Sequence, residues 1–188
     1  MKKHLFCLLA LVCLLTLPVA AAEQEQAVVR TVPDVSGMEV GAKAALVMEA
    51  RTGRVLFAQN EGERLPIAST TKIMTTLITL EQPDLDERFE VDSAAIRVEG
   101  SSMGLREGDQ VSLRALAVGM LLHSGNDAAN AAAVRISGSI PAFVEKMNQK
   151  AKELGMKNTS FETPSGLDGE HHYSTAYDMA LLARYALE

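Results

Sequence analysis

The chain has 188 residues, a net charge of −6, 47% apolar residues and two cysteines. Its acidity argues against nucleic acid as a partner, for which a basic face is expected, and its length allows one ordinary hydrophobic core. Both cysteines, Cys7 and Cys13, fall in the N-terminal apolar run, so the rest of the chain has no thiol for disulfides, redox chemistry or thiolate metal sites.

Met1-Lys2-Lys3 is a basic start, Leu5 to Val19 is almost wholly apolar, and Ala20-Ala21-Ala22 supplies small residues before Glu23. That order is a cleaved export signal over residues 1–22. The apolar run is shorter than the ~20 residues a spanning helix needs, which argues against a retained anchor. Neither cysteine follows a small-residue lipobox, since Phe6 precedes Cys7 and Val12 precedes Cys13. Cleavage removes Lys2 and Lys3 and takes the net charge to −8 over 166 residues. The expected location is the periplasm, or the outer face of the cytoplasmic membrane and cell wall.

Residues 23–41 are polar, carry Pro33 and Gly37, and read as a leader. Ala44 to Ala50 and Val55 to Asn60 are apolar runs joined by Arg51-Thr52-Gly53-Arg54, which predicts a β-hairpin with a glycine in its turn. Ser69 to Leu80 is helix-compatible, with Ile73, Leu77 and Leu80 at helical spacing. Leu113, Leu116, Ala117, Met120 and Leu121 form one buried helical stripe. Asp127 to Ile136 is alanine-rich, as a closely packed helix would be. Phe143, Met147, Ala151 and Leu154 form another stripe, ended by Gly155. Thr175-x-x-Asp178 resembles a capping box for a last helix through Leu181, Leu182 and Tyr185.

Two strands are a marginal sheet, and a helix-rich domain built on a sheet needs more. After the first hairpin the pattern supplies only helices and loops. The expectation is therefore an α+β fold whose sheet is completed by residues beyond Glu188.

Two short clusters carry chemistry. Ser69-Thr70-Thr71-Lys72 puts an amine and a hydroxyl three residues apart on one helical face. A serine hydroxyl is a weak nucleophile until a base takes its proton, and lysine serves only when partly neutral. Burial and a helix N-terminus both disfavour the ammonium. The plainer reading is a helix cap followed by a surface lysine, and one such pair is expected by chance in ~200 residues. Ser124-Gly125-Asn126 falls on a turn between two apolar helices. There a hydroxyl can pass on a proton, and an amide can hold both the lysine and a substrate carbonyl. Its plainer reading is an ordinary turn and N-cap. Found together and in this order in an exported chain, the two favour catalysis.

Ser-x-x-Lys followed by Ser-x-Asn is the pairing of penicillin-binding proteins and class A β-lactamases. Ile67-Ala68-Ser69-Thr70-Thr71-Lys72-Ile73-Met74-Thr75 resembles the nucleophile box of the serine-type D-alanyl-D-alanine carboxypeptidases, the low-molecular-mass penicillin-binding proteins. Leu121-Leu122-His123-Ser124-Gly125-Asn126-Asp127-Ala128-Ala129 is similar to their second box. The likeness continues through Gly100-Ser101-Ser102-Met103, Phe143-Val144-Glu145-Lys146-Met147-Asn148, Glu153-Leu154-Gly155-Met156 and His172-Tyr173-Ser174-Thr175-Ala176.

The resemblance implies a β-lactamase/transpeptidase-like fold over residues 42–188, an antiparallel sheet packed with helices plus an all-helical region, here in part. It implies Ser69 as acylated nucleophile, Lys72 as base, Ser124 as proton relay and Asn126 as substrate-positioning group. The implied substrate is a peptidoglycan stem peptide ending in D-Ala-D-Ala, with β-lactams as covalent inhibitors. No metal or organic cofactor is implied, and membrane-surface association would need a C-terminal segment outside this sequence.

The third box of the family, Lys-Thr-Gly, is absent. Arg51-Thr52-Gly53 precedes the nucleophile and reads as a turn, and His123-Ser124-Gly125 overlaps the second box. In the family that box supplies the cation for the substrate carboxylate and lies on the strand giving one oxyanion-hole N–H. Losing one such donor typically costs ~10² to 10³ in rate. A β-lactamase, a cross-link-cleaving endopeptidase and a non-catalytic β-lactam or peptidoglycan binder are the rival readings; the Glu-x-x-Leu-Asn element expected of the first is missing. His171 and His172 lack a second ligand cluster and read as a loop pair at the site's rim. The nine methionines read as gap fillers of helix cores.

Overall fold

A computed structural model describes residues 37–167 and 169–188. The expected export signal at residues 1–22 and most of the expected leader at 23–41 lie outside the described residues. The first described element is the expected hairpin, β1 (Ala45–Met48) and β2 (Val55–Gln59), antiparallel with Val47 opposite Phe57 and a bulge between Val47 and Met48. Its turn is built by Glu49, whose carboxylate accepts from the backbone N–H groups of Arg51 and Thr52 and from the Thr52 hydroxyl. Those bonds, the Thr52 hydroxyl first, hold the Glu49 carboxyl down at about 2. Gly53 supplies the left-handed residue of the turn, at φ 74°.

Five α-helices follow among the described residues. A 3₁₀ turn, Ala68–Thr71, runs straight into α1 (Lys72–Leu80). Helix α2 (Leu113–His123) is capped by the Ser112 hydroxyl, which accepts from Ala115 N–H. Helix α3 spans Asn126–Ser137, and Gly138 at φ 76° ends it. Helix α4 (Ile140–Glu153) starts at a Ser139 cap with Pro141 in its first turn, the position where a missing N–H costs nothing. Helix α5 (Ala176–Ala186) is capped by Thr175, whose Oγ1 accepts from Asp178 N–H at 3.1 Å.

The pattern missed a second strand pair. β3 (Arg88–Glu90) and β4 (Gln110–Ser112) are antiparallel, with Phe89 opposite Val111. The expectation that only helices and loops follow the first hairpin is corrected by this pair and by isolated bridges joining Leu65 to Ser174 and Ser160 to Tyr173. Three-residue strands are too short to show a period of two.

The helices enclose two apolar clusters. One gathers Met74 and Ile78 of α1, Phe143, Met147 and Ala151 of α4, Leu182 of α5, and Met156 and Phe161 of the connecting segment. The other packs Leu113, Leu116, Ala117 and Met120 of α2 against Ala128, Ala129, Ala131 and Ala132 of α3. Alanine on α3 lets it pack closely on α2, and α1 packs against both, with Ser124 of the α2–α3 turn against Ser69 just before α1. Helix α1 touches both α2 and α4, so the element that follows Ser69 is held from two sides.

Phe143 is fully buried among these helices. Phe143→Ala is expected to cost about 3–5 kcal/mol of stability, measured as a lower midpoint in urea unfolding followed by far-ultraviolet circular dichroism.

Candidate active site

Ser69 sits on the exposed face of the 3₁₀ turn, one residue after an unusual backbone conformation. Ala68 has φ 44°, in the left-handed region, where a non-glycine residue costs of order 1–3 kcal/mol. Gly166 packs directly onto it. A Cβ there would lie 1.9 Å from the Ala68 carbonyl oxygen and 2.9 Å from Thr71 Oγ1, so no other residue fits.

Lys72 begins α1 and is 2% exposed. Its Nζ donates to Ser69 Oγ at 3.2 Å and to the Ser165 carbonyl oxygen at 2.6 Å. Burial pushes the amine below its ordinary 10.5, and among the described residues no neighbouring carboxylate offsets the loss of water. A lysine so placed is neutral in a larger fraction near pH 7 than a surface lysine.

Ser124 lies at the turn between α2 and α3 with φ 52°. This left-handed residue reverses the chain, and its Oγ donates to Ser69 Oγ at 2.9 Å. Ser69 Oγ therefore has Lys72 and Ser124 on it together.

Asn126 is placed differently from the expectation. It is 5% exposed, its Nδ2 donates to the Glu99 carbonyl at 2.7 Å, and its backbone N–H donates to the Ser101 carbonyl at 2.8 Å. The partner of Lys72, besides Ser69, is the Ser165 carbonyl and not the Asn126 amide, because the amide is turned to the 99–101 segment.

The adjoining residues 102–105 are fixed by Asp127, a residue the motif reading passed over. Its carboxylate, 2% exposed, accepts from Ser102 Oγ at 2.6 Å, from the N–H groups of Met103, Gly104 and Leu105 at 3.0–3.1 Å, and from its neighbour Ala128. Burial pushes the Asp127 carboxyl up, but these bonds outweigh it and leave it below the ordinary 3.8. Gly125 gives it room: a Cβ there would meet Asp127 Oδ1 at 2.8 Å and Met103 N at 3.1 Å.

His172 also departs from the expectation. It is 4% exposed and hydrogen-bonded to Thr71, not a rim residue, whereas His171 is exposed. The Tyr173–Ser160 and Leu65–Ser174 bridges pull the 172–174 segment inward. Among the described residues no group of three or more His, Cys, Asp or Glu is disposed to hold a metal ion. Arg51-Thr52-Gly53 stays in the hairpin turn, held by Glu49 and by Arg184, whose Nε donates to the Ala50 carbonyl at 2.6 Å.

A serine hydroxyl flanked by a desolvated lysine and a second serine hydroxyl is a serine–lysine centre, here on helices beside small antiparallel strand pairs. The chain belongs to the D-alanyl-D-alanine carboxypeptidase family, whose model matches residues 28–188. It is 43% identical over 194 residues to a D-alanyl-D-alanine carboxypeptidase, DacF, of Bacillus subtilis, covering 100% of this chain and 48% of the relative. It is 39% identical over 146 residues to a D-alanyl-D-alanine endopeptidase of Pseudomonas aeruginosa, covering 77% and 47%. The crystal structure of the carboxypeptidase DacD from Francisella tularensis superposes with a TM-score of 0.77 at 41% identity, over 82% of this chain and 39% of that one. The chain has the fold of these penicillin-binding proteins over the part it shares, and it spans about half the length of the curated relatives it matches.

Asp127→Asn replaces an acceptor of five hydrogen bonds with a group that accepts at one atom only. It is expected to lower stability by about 1.5–3 kcal/mol, as charged hydrogen bonds do. The folded carboxyl lies below 3.8, so its contribution is complete above that value and disappears as pH falls through the folded value. Urea midpoints of wild type and variant should therefore converge on acidification.

Proposed function

We propose that this chain carries the nucleophile half of a serine D-alanyl-D-alanine carboxypeptidase acting on peptidoglycan stem peptides. The observation that carries this reading is the convergence of Lys72 Nζ and Ser124 Oγ on Ser69 Oγ.

In the proposed acylation, Ser69 Oγ attacks the carbonyl carbon of the penultimate D-Ala. Its proton passes to the neutral amine of Lys72, whose remaining N–H groups keep the bond to the Ser165 carbonyl. Ser124 stands on the same oxygen and can relay to the departing amine of the terminal D-Ala the proton that Lys72 took, as the amide C–N bond breaks, so that Lys72 returns to its neutral form and Ser124 keeps its own proton count. The products are free D-Ala and an ester on Ser69, which water then hydrolyses. A β-lactam presents a strained amide to the same attack, and its ring C–N bond opens with the leaving nitrogen still tethered. Asn126 Nδ2 gives one hydrogen to the Glu99 carbonyl, and its second N–H is the proposed contact for a substrate carbonyl.

The export signal at residues 1–22 places this chemistry outside the cytoplasmic membrane in the proposed reading, with residues 42–188 as part of the catalytic domain. Among the described residues no helix is long and apolar enough to cross a membrane. A second reading, cleavage of cross-links as an endopeptidase, is favoured by the likeness to the Pseudomonas aeruginosa endopeptidase.

Incubation with benzylpenicillin should add one ligand mass to the intact protein, located on the Ser69 peptide, and Ser69→Ala should add none. Lys72→Met should slow acylation by at least about 10²-fold, the lower part of the range for a general base. The wild-type rate should rise with pH through an inflection below 10.5, because the folded amine loses its proton more readily than a free lysine. Labelling of a surface serine, or a Lys72→Met variant that reacts at the wild-type rate, would sink the assignment. Release of D-Ala from a pentapeptide mimic separates the carboxypeptidase from a binder that is acylated without turnover.

A further inference from the structure

Between the nucleophile and its base lies a residue with no place in the mechanism above. Thr71 is fully buried, and its Oγ1 is 2.7 Å from Nε2 of His172, 101 residues along the chain. The other ring nitrogen, Nδ1, is 3.0 Å from the backbone N of Glu162. A peptide N–H only donates, so Nδ1 accepts and carries no proton. The proton is then on Nε2, and the imidazole donates to the threonine hydroxyl. The ring is packed edge-on to Phe161, with centroids 5.8 Å apart and planes at 69°, so it is held on its apolar side as well.

The two ends of this relay reach the two parts of the site that must stay in register. Thr71 belongs to the 3₁₀ turn with the strained Ala68 and with Ser69. Glu162 opens the 162–167 loop, whose Ser165 carbonyl takes the second hydrogen bond of Lys72 and whose Gly166 rests on Ala68 and Thr71. One neutral imidazole thus ties the nucleophile's turn to the loop that orients the base. A left-handed alanine persists only where its surroundings over-determine it, and the Gly166 contact and the Thr71–His172 bond are among those surroundings.

We propose that His172, acting through the Thr71 hydroxyl, is a positioning residue that holds Ser69 and the Ser165 carbonyl in register about Lys72. It touches neither substrate nor reacting atoms. Its loss should slow the acylation step and leave the initial encounter with the ligand unchanged, because a misplacement of about 1 Å can cost 10²-fold. This inference rests on the reading of Ser69 as the acylated residue.

The test compares Thr71→Val, which removes the hydroxyl at nearly constant volume, with Thr71→Ser, which keeps it and removes the methyl. Acylation by benzylpenicillin is resolved into encounter affinity and first-order acylation rate by stopped flow, and amide hydrogen exchange is followed over residues 68–72. Thr71→Val should lower the acylation rate by about 10- to 100-fold, leave the encounter affinity within about two-fold, and speed exchange in the turn. Thr71→Ser should restore rate and protection to within about three-fold of wild type. Unchanged acylation and exchange in Thr71→Val would overturn the proposal. Equal losses in both variants would do the same, since they would assign the effect to the methyl. If the wild-type chain is not acylated at all, the reading of Ser69 fails, and the exchange data alone judge the relay: faster exchange in Thr71→Val but not in Thr71→Ser supports it, and no difference refutes it.

Discussion

An ammonium group taken out of water is costly, and the structure around Lys72, where no carboxylate of the described residues stands beside the amine, is organised by that cost. The amine is met by two neutral oxygens, one from the nucleophile and one from the backbone at Ser165. Neutral partners satisfy its N–H groups without stabilising the charge as a carboxylate would, and that is what leaves the amine able to accept a proton. A carboxylate in place of the Ser165 carbonyl would satisfy geometry equally well and pin the lysine in its charged form. The chemistry thus depends on a backbone group where an ion pair would have been the easier structural solution.

Holding a backbone carbonyl against a buried amine requires that the segment carrying it be fixed by something else. Asn148 accepts from Phe161 N–H and donates to the Phe161 carbonyl, and Thr75 Oγ1 donates to the Pro164 carbonyl at 2.6 Å. Thr163 Oγ1 accepts from Gly166 N–H within the loop. The 161–166 segment is therefore stitched to α4, to α1 and to itself. On the opposite side Asp127 performs the same service for residues 102–105. Two loops without regular structure become walls because side chains answer their backbone groups, Thr75 and Asp127 from buried positions and Asn148 and Thr163 from half-buried ones.

The helices were legible from apolar residues at a period near 3.6, although Leu80 and Leu121 of the expected stripes are exposed and α3 is buried continuously over Asn126–Ala133, and two ends were legible where Thr175 and Gly155 supply caps. Ser69 and Lys72 could be paired in the sequence because three residues on a helical turn fix a distance. Ser124 was legible as a turn residue, although nothing in its letters gives a left-handed φ. The Ser165 carbonyl was not legible at all, since a backbone acceptor leaves no trace in residue type. Thr71–His172 was equally hidden: a threonine in a helix and a histidine near a glycine have no local reason to meet. Asp127 reads as a helix first-turn acid, and only Gly125 beside it hinted at a tight approach.

The hydrogen bond from Arg184 to the Ala50 carbonyl joins residues 134 apart, and Leu65 pairs with Ser174 across a similar span. Contacts this remote must wait for most of the polypeptide to be present before loop closure is rewarded. A ribosome that has delivered only the first two helices has made a serine and a lysine but not the surroundings that desolvate the amine. The Ser165 carbonyl that meets the Lys72 amine lies 93 residues further along the chain, so the centre is complete only once the 162–167 loop is in place.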